Sequence, residues 1–328
     1  MTPQERPPAT ESRLEPFHGG YYDIPVIHGP HWKWLVIGYF YFGGISGASA
    51  VIGWFLRLYG GTSGAALARI ATYVSFLTLL PCPVLLILDL GRPARFLHML
   101  RRFRITSPMS VGTWGLTTFG IISTLAAGLQ FLDDRSSRKG ERPTALPRTV
   151  GDGLSLLAGL SGFFVAGYTG VLLAATAVPL WSKRPALLGP LFLSSAMTSG
   201  AAAVSAVASA IDREGGDGHD RLRALETIST LTEEALLITW ILALGSTAKP
   251  VVEGRLGMVV RHGAVGAGMV LPLIGAALPP CLPRRLRRPV NIASAALTLA
   301  GVFAVRSAVV IGGHRSANDP GATFDMTG

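Results

Sequence analysis

Tyr39, Asp89, Tyr168, Glu233 and Arg306 interrupt stretches that are otherwise apolar, and their types suit the handling of protons and of polar ligands. Asp89 closes the run Leu86-Ile87-Leu88-Asp89. In such a place a carboxylate snorkels to the interface, pairs with a cation such as Arg92, Arg95 or Arg306, or handles protons. Glu233 and its neighbour Glu234 diverge by about 100° around a helix, so at most one can face a given polar path. Ser194, Ser195, Thr198 and Ser199 could extend a hydrogen-bonded chain toward them, although each hydroxyl taken singly is well served by a carbonyl of its own helix. Each tyrosine alone reads as an interface or core aromatic.

These residues must be positioned by helices in lipid. Eight apolar stretches, 34–58, 67–88, 111–132, 154–178, 187–211, 224–244, 259–278 and 290–311, each reach the ~20 residues that cross a bilayer. Hydrophobic residues make up 49% of the chain and charged ones 15%, which sets it apart from a soluble domain. The fold class is therefore an all-α membrane protein of eight transmembrane helices. The net charge of +10 is spread over loops at both faces, which fits lipid head groups and a partner subunit and excludes a nucleic-acid surface. Residues 1–32 form a polar arm with no signal peptide, residues 33–313 one transmembrane domain, and residues 314–328 a short polar tail.

An even number of spans puts both termini on one side, called side A here, with the opposite side called B. Asp89, Tyr39, Tyr168 and Arg306 all lie toward side A. Tyr168 stands about 15 Å below that surface at ~1.5 Å per residue, and Arg306 either snorkels out or holds Asp89. Glu233 and Glu234 lie near the middle of the bilayer. Lysines and arginines divide almost evenly between the sides, so charge alone barely decides orientation. Gly43 and Gly47, Gly112 and Gly115, Gly162 and Gly170, and Gly263 with Ala267 offer close helix crossings, while Pro81, Pro83 and Pro272 should kink their helices.

The two cysteines, Cys82 and Cys281, make no metal or redox pair. The seven histidines sit in tails, loops and span ends, where they do not face one another across helices as a membrane haem requires. No nucleotide-binding or hydrolytic motif is present.

Several blocks carry a resemblance: Pro25-Val-Ile-His-Gly-Pro-His-Trp-Lys-Trp34 leading into Tyr39-Phe-Tyr-Phe-Gly-Gly-Ile-Ser-Gly-Ala48, then Leu88-Asp-Leu-Gly-Arg-Pro-Ala-Arg-Phe-Leu97, Thr106-Ser-Pro-Met-Ser-Val-Gly-Thr-Trp114, Gly167-Tyr-Thr-Gly-Val-Leu-Leu173 and the region of Arg306. Over nearly its whole length the chain resembles the NrfD/PsrC-type membrane subunit of polysulfide-reductase-like complexes. The resemblance implies two four-helix bundles and a bacterial cytoplasmic membrane location with side A extracytoplasmic. It also implies a subunit without haem or iron–sulfur cluster of its own that exchanges electrons between an iron–sulfur partner and menaquinone or ubiquinone. The partner would dock on the 90–110 loop, accompanied by a molybdopterin catalytic subunit. By the same resemblance Tyr168 matches a quinone-pocket tyrosine, Asp89 an acid at the end of span two, and Tyr39 the place where a relative carries a quinone-contacting histidine. Arg92, Arg95 and Arg306 would support the charge of this site, and Glu233, Glu234, Ser194 and Ser195 would carry protons. Two other classes share the features read from the residues: a secondary transporter, which also uses midplane acids and broken helices, and a purely structural anchor.

Overall fold

The structure, a computed structural model, describes residues 32, 34–91, 93–101, 103–139, 148–211, 217–277 and 283–318. The expected arm apart from Trp32, the tail beyond Asn318, Arg92, Cys281 and the side chain of Arg95 lie outside this description.

Eight helices are long and apolar enough to cross a membrane: α1 (Trp34–Tyr59), α2 (Gly61–Asp89), α3 (Pro108–Arg138), α4 (Thr149–Ala174), α5 (Pro185–Ala210), α6 (Asp217–Val252), α7 (Gly254–Ala277) and α8 (Arg285–Ala317). Among the described residues there is no strand. A helix satisfies its backbone groups internally, which is what hydrocarbon demands. Most spans outrun the apolar stretches that announce them. α2 starts at Gly61 rather than residue 67, α3 continues to Arg138 rather than 132, and α8 reaches Ala317, past the boundary expected at 313. Polar turns at the helix ends remain helical without adding apolarity to the sequence.

The helix starts and stops follow local chemistry. Pro108 occupies the first turn of α3 and the Ser107 hydroxyl accepts from the Ser110 amide, a serine cap followed by a proline that needs no donor. Gly91, with φ 66°, releases the chain after Asp89 in a conformation other side chains resist. The short helix Pro93–Arg101 follows on side A. α2 is interrupted at Leu80, between Gly61–Leu79 and Pro81–Asp89, where Pro81 and Pro83 cannot donate to the preceding turn. α7 is wound as a π-helix over Val259–Val270 and returns to ordinary winding at Leu271, next to Pro272.

α5 and α1 occupy the centre and are mostly buried, while α3 lies at the periphery. α1 packs on α2, α4 and α5, and α5 packs on α4, α6 and α8 as well. The close crossings use glycine: the backbones of Gly47 and Gly162 abut, Gly170 lies on the Leu188 carbonyl, and Gly200 meets Ala48. In α7 the close approach is made by Gly268 against Gly301 of α8. That corrects the expectation for Gly263 and Ala267, since the π winding rotates Gly263 away from its neighbour. On side A the ends of the spanning region meet, because His314 Nε2 donates to the Trp32 carbonyl at 2.6 Å and Trp32 stacks on Trp181. On side B, Arg57 pairs with Asp152 and Arg69 with Asp134.

Candidate functional site

Tyr39 of α1 and Tyr168 of α4 are both buried, 6% and 8% exposed, and lie close enough to interact electrostatically, with Cys82 of α2 beside Tyr39. Three helices thus meet at one point. Gly43 faces the same point, where a Cβ would come into ordinary contact with Cys82 Sγ, the Tyr39 ring and Val165. The two phenols differ in their bonding. Tyr168 donates to the carbonyl of Pro108 at the start of α3, and its ring fills the space left by Gly112. Among the described residues no hydrogen bond reaches the Tyr39 hydroxyl. A buried phenol with an unused donor is costly unless a ligand or water serves it.

Two apolar grooves open on the surface of the helices that carry these residues. One, of about 540 Å³, runs between α3 and α4 and is lined by Phe103, Trp114 and Phe164. Phe164 in turn stacks on Tyr168 at 5.1 Å. The other, of about 480 Å³, lies at the break of α2, lined by Leu80, Pro83, Phe96 and Thr117. Cys82 points the other way at the same break, into the protein and toward Tyr39.

Asp89 is half-buried at the end of α2 and engaged in an interaction there. It lies three and seven residues beyond Leu86 and Cys82, on the face of α2 that Cys82 turns inward, and about 10 Å further along the axis at ~1.5 Å per residue. Asp89 therefore stands between the tyrosine pair and side A.

Arg306 takes neither of the two courses expected of it. It is fully buried, and it donates from Nη1 to the Phe40 carbonyl at 2.6 Å and from Nη2 to the Phe192 carbonyl at 3.1 Å. Its carbon Cζ lies 5.1 Å from the centre of the Phe192 ring, a cation–π contact. The acid within its electrostatic reach is Glu233, not Asp89. The socket depends on Gly44, where a side chain would collide with the guanidinium. Snorkelling from this depth would abandon two carbonyl acceptors and an acid, and that outweighs the hydration gained.

Glu233 is fully buried and faces the hydroxyls of Ser195 and Thr198. Neither carboxylate oxygen nor Ser195 Oγ closes a hydrogen bond of full geometry. Glu234, one residue on, is half-buried. Ser194 donates to Leu191 within its own helix and Thr198 to Ser194. Of the two serines it is thus Ser195 that addresses Glu233. Gly44, Cys82 and Tyr41, whose hydroxyl donates to the Leu299 carbonyl of α8, belong to these surroundings too. The Gly43-Gly44 pair in an aromatic run was the signal available for the socket. Among the described residues no group of three or more His, Cys, Asp or Glu is placed to hold a metal.

The profile of a protein family described as Polysulphide reductase, NrfD, matches residues 27–317. No curated protein matches the chain.

Proposed function

The chain belongs to the NrfD family, the multi-pass membrane subunits of polysulfide-reductase-like oxidoreductase complexes, and from that premise we propose that it binds quinone at Tyr39, Tyr168 and Asp89. There it would pass electrons between an iron–sulfur partner on side A and the menaquinone or ubiquinone pool. The observation that carries this reading is Tyr39, whose hydroxyl has no hydrogen-bond partner among the described residues, beside Tyr168, whose stacked neighbour Phe164 lines a surface groove.

The chemistry follows from the charge that develops on the substrate. Reducing a quinone to a quinol takes two electrons, supplied by the partner's clusters, and two protons. Tyr39 would donate a hydrogen bond to a carbonyl oxygen as it becomes basic. Tyr168, fixed by Pro108, would present its ring as a wall with Phe164, and Asp89 would take or give the proton on the side A flank. Arg92 and Arg95 would hold the charge of Asp89. Glu233, with Ser195, would carry protons from side B toward Arg306 and α1. Side A would be the extracytoplasmic face of a bacterial cytoplasmic membrane.

Pro81 and Pro83 lie in the second helix of the first half and Pro272 in the third helix of the second, so these breaks are not the matched pair a secondary transporter calls for. The decisive measurement is quinone content and quinol-linked turnover of the purified complex. Tyr39→Phe should lower turnover at least tenfold with assembly intact. Tyr168→Phe should lower it too, and should also cost about 1 kcal/mol of stability for the lost bond to Pro108. Absence of copurified quinone together with full activity in Tyr39→Phe would leave the anchor reading in place.

A further inference from the structure

From Gly254 to Asn318 the chain contains no acid, and the charged residues of this stretch, which supplies α7 and α8, are all arginines. Arg306 finds its partners on other helices. The densest run, Arg284-Arg285-Leu286-Arg287-Arg288, opens α8 on side B. The start of a helix is the positive end of its dipole, so cations gathered there are opposed by the helix and by one another. An anion held at that place offsets both costs.

In the other half of the molecule the side B arginines meet acids of the chain, Arg57 with Asp152 and Arg69 with Asp134. Among the described residues Arg285 and Arg288 make no such pair. Arg288 donates to the carbonyl of Ala210, the last residue of α5, which ties the start of α8 to the end of α5 and leaves most of the five guanidinium donors for another acceptor. Both arginines are exposed. They stand at i and i+3, on one face and about 4.5 Å apart along the axis, a spacing that one phosphate can bridge. Below them the same face turns apolar: Pro289, Ile292 and Ala296 follow, all exposed, and Leu286 is exposed beside the arginines. Charge first and hydrocarbon beneath is the order in which a phospholipid presents its phosphate and its acyl chain.

We propose that the side B end of α8 is a binding site for an anionic phospholipid, its phosphate bridged by Arg285 and Arg288 and an acyl chain laid along Pro289, Ile292 and Ala296. The forked, permanently charged guanidinium suits a phosphate better than an ammonium does, and basic runs at the end of a span gather anionic lipid. A zwitterionic lipid brings an ammonium group of its own, which the rest of the run repels. Free phosphate lacks the chain that the apolar strip would cover. The site depends on the chain crossing a membrane and not on the quinone reading, so the two fail separately.

The test adds phosphatidylglycerol or phosphatidylethanolamine to the full chain in detergent micelles and counts bound lipid by native mass spectrometry. The first phosphatidylglycerol should bind at least fivefold more tightly than phosphatidylethanolamine. Arg285→Gln with Arg288→Gln should bring the two within twofold, whereas Arg261→Gln, which removes an exposed arginine of the same acid-free stretch toward side A, should leave the preference intact. If loss of the bond to Ala210 prevents folding, Arg285→Gln alone should at least halve the preference. Ala296→Trp, which keeps every charge and fills the strip, should weaken phosphatidylglycerol at least threefold. A preference that survives the arginine variants, or that falls equally in Arg261→Gln, overturns the site. Displacement of the lipid by millimolar inorganic phosphate overturns it in favour of a plain anion site, and a protein cross-linked in native membranes to p-benzoylphenylalanine placed at position 286 overturns it in favour of a partner subunit.

Discussion

Arg306 sets the energetics at the scale of single residues. A guanidinium out of water is tolerable only where its donors and charge are answered, and here carbonyls from α1 and α5 take Nη1 and Nη2 while Glu233 lies within electrostatic reach. Removing one member of such a set leaves the rest stranded, at about 3–5 kcal/mol. Arg306→Met should therefore lower the thermal midpoint of the detergent-solubilised chain sharply, and adding Glu233→Gln should restore part of the loss. Equal destabilisation in the single and double variants would show that the two charges are not coupled. The sequence marked Arg306 as unusual because an arginine in an apolar run rarely lacks a task, yet it offered the wrong partner. Spacing along one helix says how deep a residue lies, not which of seven neighbours it turns toward. The tyrosines were legible to the same extent: depth and side placed them together, while the difference between a bonded phenol and an unbonded one appears only in three dimensions.

At the scale of elements, all eight helices were legible because hydrocarbon filters sequence strongly. Their ends were not, since polar helical turns look like loops by composition. The glycine crossings were read correctly where two ordinary helices meet, and the clearest is Gly47 against Gly162. Gly47→Leu should push α1 from α4, separate Tyr39 from Tyr168, and reduce both folded yield in a size-exclusion assay and quinone turnover. Gly128→Leu serves as the control, because nothing lies within 4 Å of a side chain there. The π-helix in α7 escaped the sequence reading. Its winding follows from what α7 packs against, and Gly263, Gly266 and Gly268 permit it without announcing it.

At the scale of the whole molecule, the balance of basic loops gave no orientation, and the docking face was taken from resemblance. The structure adds that Arg101 and Arg104 on side A are exposed, free to meet an acidic partner surface. Arg101→Glu with Arg104→Glu should weaken capture of the iron–sulfur subunit, and the deficit should shrink as salt is raised, because exposed charges are screened over ~10 Å at 0.1 M. An unchanged yield at low salt would place the partner elsewhere. The two halves are also joined through their interior, since α8 supplies the cation that α1 and α5 enclose. α8 leaves the ribosome after α1 and α5. Until it arrives, Gly44 and the carbonyls around it frame a vacant socket, and Glu233 waits without its counter-charge. A nascent chain stopped before Arg285 is thus chemically distinguishable from one that includes α8, and a pulse-chase comparison should find it cleared faster by membrane proteases. In such a comparison α8 serves as a keystone, whose arrival closes the polar interior of the helices before it.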